Sequence, residues 1–416
     1  MSGMFMNKKD IDIIRGLAER VAEIAALPVQ EEKRRLWRAL NAKKPERPMV
    51  MIDQVCWNEM DVNDELALQC ADEECRAYEQ NLRRTLYQWE HFRCDMVVEP
   101  YIRVHKAVSG WHFGLGVSEE TKTGDPENDV ISHRYINQFE TDADLDKIKM
   151  SNIVHDEAET QRRLSFAGEL FGGIMPIKPH GVEPRVCFWD PISTWMSVEG
   201  ALWALADRPE YVHELLSRMK ASYLAGMDAL EQNGLFCDSQ TLVHCTGAYT
   251  DELPADDFNP DKPRAKDLWT MGLAQMFSTV SPAMFEEFEV NYIKDICARY
   301  GLVYYGCCDP LDAKMAEVRK IPNVRKVSVS TWADQERAAR NMGDEFVFSR
   351  KPNPAFLAGI PYSTEQVRAD IQKTVDICKN GGCPLEIILK DISTTLHEPQ
   401  RLWQWNDVVM EVVGGL

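Results

Sequence analysis

Two adjacent pairs, His244 with Cys245 and Cys307 with Cys308, bring one imidazole and three thiols into two couples in one chain. Imidazole, thiolate and carboxylate together are the donors that Zn²⁺ takes, so these four residues are the candidate metal ligands. Their spacing is not a metal motif by itself. Cys307 and Cys308 also read as small packing residues beside Gly306, and His244 as a hydrogen-bonded core histidine. Glu99 follows two valines and precedes Pro100, a setting that holds a carboxylate at the end of a strand. Lys390 and Asp391 end another apolar run, where they suit either a functional role or a structural ion pair. Trp189, Asp190, Trp332 and Lys351 complete the set of strand-end residues, the tryptophans as walls of an apolar pocket or as core.

What must gather these residues is a sheet. Short apolar runs occur at Pro48–Gln54, Asp95–Pro100, Arg185–Asp190, Thr241–Thr246, Leu302–Asp309, Val324–Ser330, Glu345–Lys351 and Leu385–Ile392. Amphipathic helical patterns separate several of them, notably Pro209–Leu230, Pro282–Tyr300 and Thr364–Lys379. Continuous apolar strands alternating with helices predict a parallel sheet covered on both faces. About eight such units close a (β/α)8 TIM barrel, whose active site lies at the C-terminal strand ends. A doubly wound sheet is the competitor, weakened by the lack of a glycine-rich turn after the first strand. The expectation is an α/β chain with an N-terminal helical extension over residues 1–45 and a single barrel domain over 46–416. Val104–Ala167 is read as a long insertion after the second strand, and Tyr249–Leu268 as a second long loop, both rising from the catalytic face.

Composition narrows the function. The chain has 416 residues, 44% hydrophobic and 27% charged, with a formal charge of -19. That field repels phosphate backbones, so neither nucleic acid nor an anionic membrane is an expected partner. No apolar run is long enough to span a bilayer. Met1–Asp10 has no apolar signal segment, so a cytoplasmic location is expected. Twelve cysteines in such a chain are not a disulfide framework. Gly-x-Ser-x-Gly, Walker, His-Glu-x-x-His and Cys-x-x-Cys motifs are absent from the sequence, which removes serine hydrolases, P-loop enzymes and metalloproteases.

Several segments carry a resemblance. Pro45–Ile52 (PERPMVMI) looks like an opening strand, Trp189–Met219 (WDPISTWMSVEGALWALADRPEYVHELLSRM) like a substrate-side strand and helix, and Ser281–Asp295 (SPAMFEEFEVNYIKD) like the helix before a key strand. Lys351–Pro354 (KPNP) resembles a Gly-Asn-x-Asp-Pro turn. Together they resemble the uroporphyrinogen decarboxylase superfamily, over most of the chain. The Arg-Gln-Ala-Gly-Arg segment of its coproporphyrinogen-forming members is missing, which argues against haem biosynthesis. The zinc-dependent thiol-methylating members carry His-x-Cys-Gly in the strand that corresponds to Tyr304–Asp309. Here Cys307 or Cys308 matches that cysteine, Tyr305 or Gly306 stands for the histidine, and Lys390-Asp391 replaces the last-strand cysteine.

Cys307–Leu311 (CCDPL) and Leu389–Ile392 (LKDI) are similar to the branch that moves methyl groups from O- or N-methyl compounds to a corrinoid protein. The resemblance implies a small methylated substrate, including methoxyaromatics, a corrinoid carried by a partner protein, and Zn²⁺ re-ligated by His244, Cys245, Cys307 and Cys308. A methyl ether or amine leaves only with a proton donor or a Lewis acid. In the absence of metal, the resemblance makes Glu99, Tyr305 or Asp391 that donor, while Trp189, Asp190, Trp332, Lys351 and Lys390 contact substrate. The alternative within the same fold is a decarboxylase of an aromatic or tetrapyrrole-like acid, using Arg103, Lys106 and Arg350 as carboxylate anchors. A non-catalytic corrinoid-handling protein is a third reading, against which the polar strand ends argue.

Overall fold

A computed structural model describes residues 7–124 and 131–414. Its labelled strands are β1 Met49–Ile52, β2 Ile102–His105, β3 Ile177–His180, β4 Trp269–Gly272, β5 Leu302–Tyr305, β6 Val324–Val329, β7 Val347–Arg350 and β8 Leu385–Leu389. Six of them form one parallel sheet in the order β1-β8-β7-β6-β5-β4. Val50 pairs with Ile387 and Val327 with Phe348. Strands β1, β4, β5, β7 and β8 are buried at every position. Burial on both faces is what a continuous apolar run, not an alternating one, provides for. β2 and β3 make a separate parallel pair.

The hydrogen-bonded arc therefore holds six strands. Two of the expected strands, Arg185–Asp190 and Asp95–Pro100, flank it by isolated backbone contacts and are not themselves strands. Val186 bridges Gly272 at the β4 edge, and Asp95 N–H donates to Val50 O at 3.0 Å at the β1 edge. Thr241–Thr246 differs from expectation: it lies in a short antiparallel hairpin, Leu242–Val243 against Thr246–Gly247. His244 reverses the chain there with a φ of 55°, a conformation that cannot continue a strand. In its place the arc takes β4, whose four residues follow an Asp- and Pro-rich stretch and end in glycine.

The N-terminal helices α1 (Lys8–Ala25) and α2 (Pro28–Asn41) are amphipathic, and Pro28 starts the second helix at a position where its missing N–H costs nothing. Trp37 of α2 is buried and donates to Asp95 O at 3.0 Å. Asn41 donates to the backbone oxygens of Gly247 and Tyr249 at 3.0 and 2.7 Å. Helix α2 thus packs over the hairpin.

Inside the curl the side chains are polar as well as apolar. Lys326 and Glu386 pair at 2.7 Å with no solvent exposure, and Thr246 donates to the same carboxylate at 2.7 Å. Nearer the C-terminal ends of the strands, Lys351 donates to Tyr304 OH and Ser349 Oγ, both at 2.7 Å. The Val104–Ala167 stretch is not a bare loop. It contains two small antiparallel pairs and most of the helix Glu157–Phe171; its residues 125–130 lie outside the described region. No described helix is long and apolar enough to cross a membrane.

Candidate functional site

Beyond β5 the chain turns at Gly306, whose φ is 92°, and a Cβ there would lie 2.5 Å from Leu311 Cδ1. Only glycine takes that turn freely, and the turn delivers Cys307 and Cys308 to the C-terminal end of the sheet. Their sulfurs are 3.5 Å apart. Beyond β8 Lys390 donates to Cys307 Sγ at 3.4 Å and to Asp391 Oδ2 at 2.5 Å. Asp391 Oδ2 also lies 3.9 Å from Cys308 Sγ. From the hairpin, His244 brings its ring over Tyr304 (centroids 5.1 Å apart) and places Nδ1 2.7 Å from Cys245 Sγ. Both His244 (φ 55°) and Asp391 (φ 58°) hold left-handed backbone, a strained state that is kept where surrounding contacts impose it.

Electrostatics single out one thiolate. The Cys308 thiol hydrogen-bonded to Cys307 lowers the Cys307 pKa, and His244 and Lys390 act in the same direction against burial. Cys308 is pushed the other way, first by that same shared hydrogen bond, so the pair carries its negative charge on Cys307. Burial keeps His244 on the neutral side and pushes the Cys245 thiol up to about 12.

Next to this cluster is a cavity of about 420 Å³. Trp111 and Phe113, from the long insertion, and Phe188, Trp195 and Tyr223 form its aromatic lining. Trp111 meets Tyr223 edge-on at 4.8 Å, and Phe113 meets Phe188 at 6.0 Å. Asp190 lines the same cavity, held by Gln275 Nε2 at 3.0 Å. Burial raises its pKa against that hydrogen bond, and the Cys307 charge raises it further. A carboxyl with a raised pKa thus lines the aromatic cavity within electrostatic reach of Cys307.

The sheet end gathers His244, Cys245, Cys307, Cys308, Lys390, Asp391 and Asp190, with Lys351 packed one layer below. It does not gather the rest. Glu99 accepts a hydrogen bond from Tyr249 and pairs with Arg34 at 3.4 Å, lining a different cavity with Tyr101 and Arg103. Tyr305 is fully buried and donates to Glu289 at 3.1 Å. Trp189 is buried against Phe277. Trp332 is 77% exposed. The cationic candidates for a carboxylate anchor are engaged elsewhere: Arg103 with Thr241, Lys106 with Gly234 O, and Arg350 with Ser330 O and Lys351 O.

As arranged, the thiol-imidazole set does not fit Zn²⁺. The Lys390 ammonium already sits 3.4 Å from Cys307 Sγ and bonds Asp391, so a cationic side chain stands where the resemblance would place the third ligand. His244 Nδ1 is turned to the Cys245 thiol. Sequence reading offered Trp195 as a pocket wall but missed Cys187, Gln275 and the other aromatic residues of the lining, Trp111, Phe113, Phe188 and Tyr223. Cys187 was within reach, since it lies inside the Arg185–Asp190 run two residues before the helix Trp189–Met196 begins, and it lines the same cavity.

No protein-family model matches the sequence. No curated protein matches it either. Among solved structures, the chain is similar to a methyltransferase from Methanosarcina mazei, with a TM-score of 0.51 at 12% sequence identity. The match covers 91% of this chain and 97% of that one. At that identity the likeness is one of fold alone.

Proposed function

We propose that this protein is a methyltransferase that demethylates a small O- or N-methyl compound, and that its methyl acceptor is a corrinoid carried by a partner protein. The observation that carries the reading is the aromatic cavity with Asp190 in its wall, within electrostatic reach of Cys307. A methoxylated aromatic ring suits walls of Trp111, Phe113 and Trp195, and its ether oxygen needs a proton as it leaves. Asp190 is the residue we assign to give it. The C–O or C–N bond breaks, the methyl group goes to the acceptor, and the departing heteroatom takes the Asp190 proton. The corrinoid supplies the nucleophile when its carrier docks at the sheet end.

The other residues position and tune. The Cys307 thiolate acts on the acid from within electrostatic reach, its negative charge raising the Asp190 pKa, and Lys390 holds that thiolate in place. The aromatic walls exclude water, which strengthens each of these interactions. The fold neighbour being a methyltransferase agrees with this reading. The engagement of Arg103, Lys106 and Arg350 by internal partners speaks against the decarboxylase alternative. In the same reading, the six-stranded arc and its two flanking segments are a (β/α)8 ring over residues 46–416, preceded by a helical extension and working in the cytoplasm.

The test is methyl transfer itself. The full chain is incubated with reduced free cobalamin and a panel of methoxyaromatics and methylamines, and methylcobalamin formation is followed by absorbance. Transfer from at least one donor, lost in Asp190→Asn, is expected. No transfer from any donor, or full activity in Asp190→Asn, overturns the assignment.

A further inference from the structure

His180, Glu183 and Cys237 belong to no part of the site above, yet the chain goes to some length to bring them together. Val182 N–H donates to Leu235 O at 2.8 Å, and Cys237 N–H donates to Val182 O at 3.2 Å. Gly181 permits the approach, because a Cβ at that position would fall 2.3 Å from Phe236 O. The result sets Cys237 beside the end of β3. Glu183 Oε1 stands 3.1 Å from His180 Nε2, and that oxygen is buried without a hydrogen bond of good geometry among the described residues. A donor nitrogen, a carboxylate oxygen and the Cys237 sulfur all lie within 4.8 Å of one another. His105, at the end of β2, places a second imidazole beside the group, its ring centroid 5.1 Å from that of His180.

We infer that His180, Glu183 and Cys237 bind a divalent metal ion of borderline softness, with Zn²⁺ the best match. Nitrogen, oxygen and sulfur donors in threes are what such ions accept, with a fourth position left for water or another side chain. Calcium and magnesium are poor fits, since they take oxygen donors almost alone. On binding, the S–H bond of Cys237 breaks, its proton goes to solvent and a sulfur–metal bond forms. Burial holds that thiol well above its ordinary range, so without metal it stays protonated and donates to Glu183. The ion would clip the segment after the helix Pro209–Gln232 to β3, and that helix carries Tyr223 of the aromatic cavity.

The experiment uses the full chain stripped with a chelator and titrated with Co²⁺ alone, read by the near-ultraviolet thiolate-to-cobalt charge-transfer band. It is independent of methyl transfer, so the two readings fail separately. Uptake of about one equivalent is expected in wild type and in Cys307→Ala/Cys308→Ala, with loss of the band in Cys237→Ser. Zn²⁺ should displace the cobalt and abolish the band. No band in wild type, or a band that survives Cys237→Ser, overturns the inference. Should Cys237→Ser fail to fold, Glu183→Gln decides: weakened uptake supports the site, and uptake equal to wild type refutes it.

Discussion

Lys390 Nζ lies 3.4 Å from Cys307 Sγ, and the two residues come from different strands, so the contact is made by the fold and not by local sequence. Together with the Cys308 hydrogen bond and His244, it holds Cys307 below the ordinary thiol range. The thiolate is the nucleophilic form, so Cys307 should be alkylated at a pH where free cysteine is inert. Lys390→Met removes a cation that favours the charged sulfur. Its alkylation profile should move to higher pH by roughly one unit or more. Mass-spectrometric mapping of iodoacetamide labelling at Cys307 against pH measures this, and an unmoved profile would show that Lys390 does not tune the thiol.

Asp190 offers a sharper kinetic signature. If it protonates the departing oxygen, Asp190→Asn should lower turnover by roughly 100- to 10,000-fold for an unactivated methoxyaromatic. The loss should shrink as the leaving phenol becomes more acidic, because a good leaving group departs without help. A purely structural role predicts the same loss for every donor. The slope of rate against leaving-group acidity, compared between wild type and Asp190→Asn, separates the two.

How much of this was legible in the sequence follows from what each signal depends on. Runs such as LVYY and LEIIL announce buried parallel strands because a strand covered on both faces needs apolar residues throughout, and both are strands. Cys307, Cys308, Lys390 and Asp391 then follow from the rule that barrel-type sheets display chemistry at their C-terminal ends. Thr241–Thr246 misled for a conformational reason: its apolar residues pack, but the positive φ of His244 folds them into a hairpin. Glu99 misled because its apolar run forms no strand, and Arg34 and Tyr249 hold its side chain outside the cluster. Trp332 follows its strand closely, yet it is exposed. The aromatic cavity depends on contacts between the 111–115 segment and residues some 75 to 110 positions later, which no local pattern records.

The buried pair Lys326–Glu386 should behave asymmetrically on mutation. Both side chains are fully buried at 2.7 Å, so Glu386→Gln leaves an ammonium without its counter-charge. A loss of about 3–5 kcal/mol in unfolding free energy is expected. Replacing both partners, with Lys326→Met and Glu386→Leu, removes both desolvation penalties and should cost much less than the single change. Denaturant unfolding of Lys326→Met, Glu386→Leu and the double forms the cycle. Additive losses would mean that the two charges are not energetically linked.

Asp309, directly after the cysteine pair, gives a prediction in pH. Burial raises its pKa to about 6 in the fold, opposed by Lys314, and its Oδ2 has no hydrogen-bond partner among the described residues. The unfolded value is near 4, so between about pH 4 and 6 the native state binds more protons than the unfolded chain. Stability from this group is therefore full in acid, falls as pH rises through that window, and stays lost above it. Asp309→Asn keeps the shape and an acceptor for the Cys307 N–H, 3.4 Å away in the native contact, without the charge. The substitution should stabilise the protein at pH 7.5 by roughly 1–3 kcal/mol and have little effect near pH 4. Thermal unfolding of both proteins across that range measures the difference, and a constant offset at every pH would show that Asp309 does not titrate in the window.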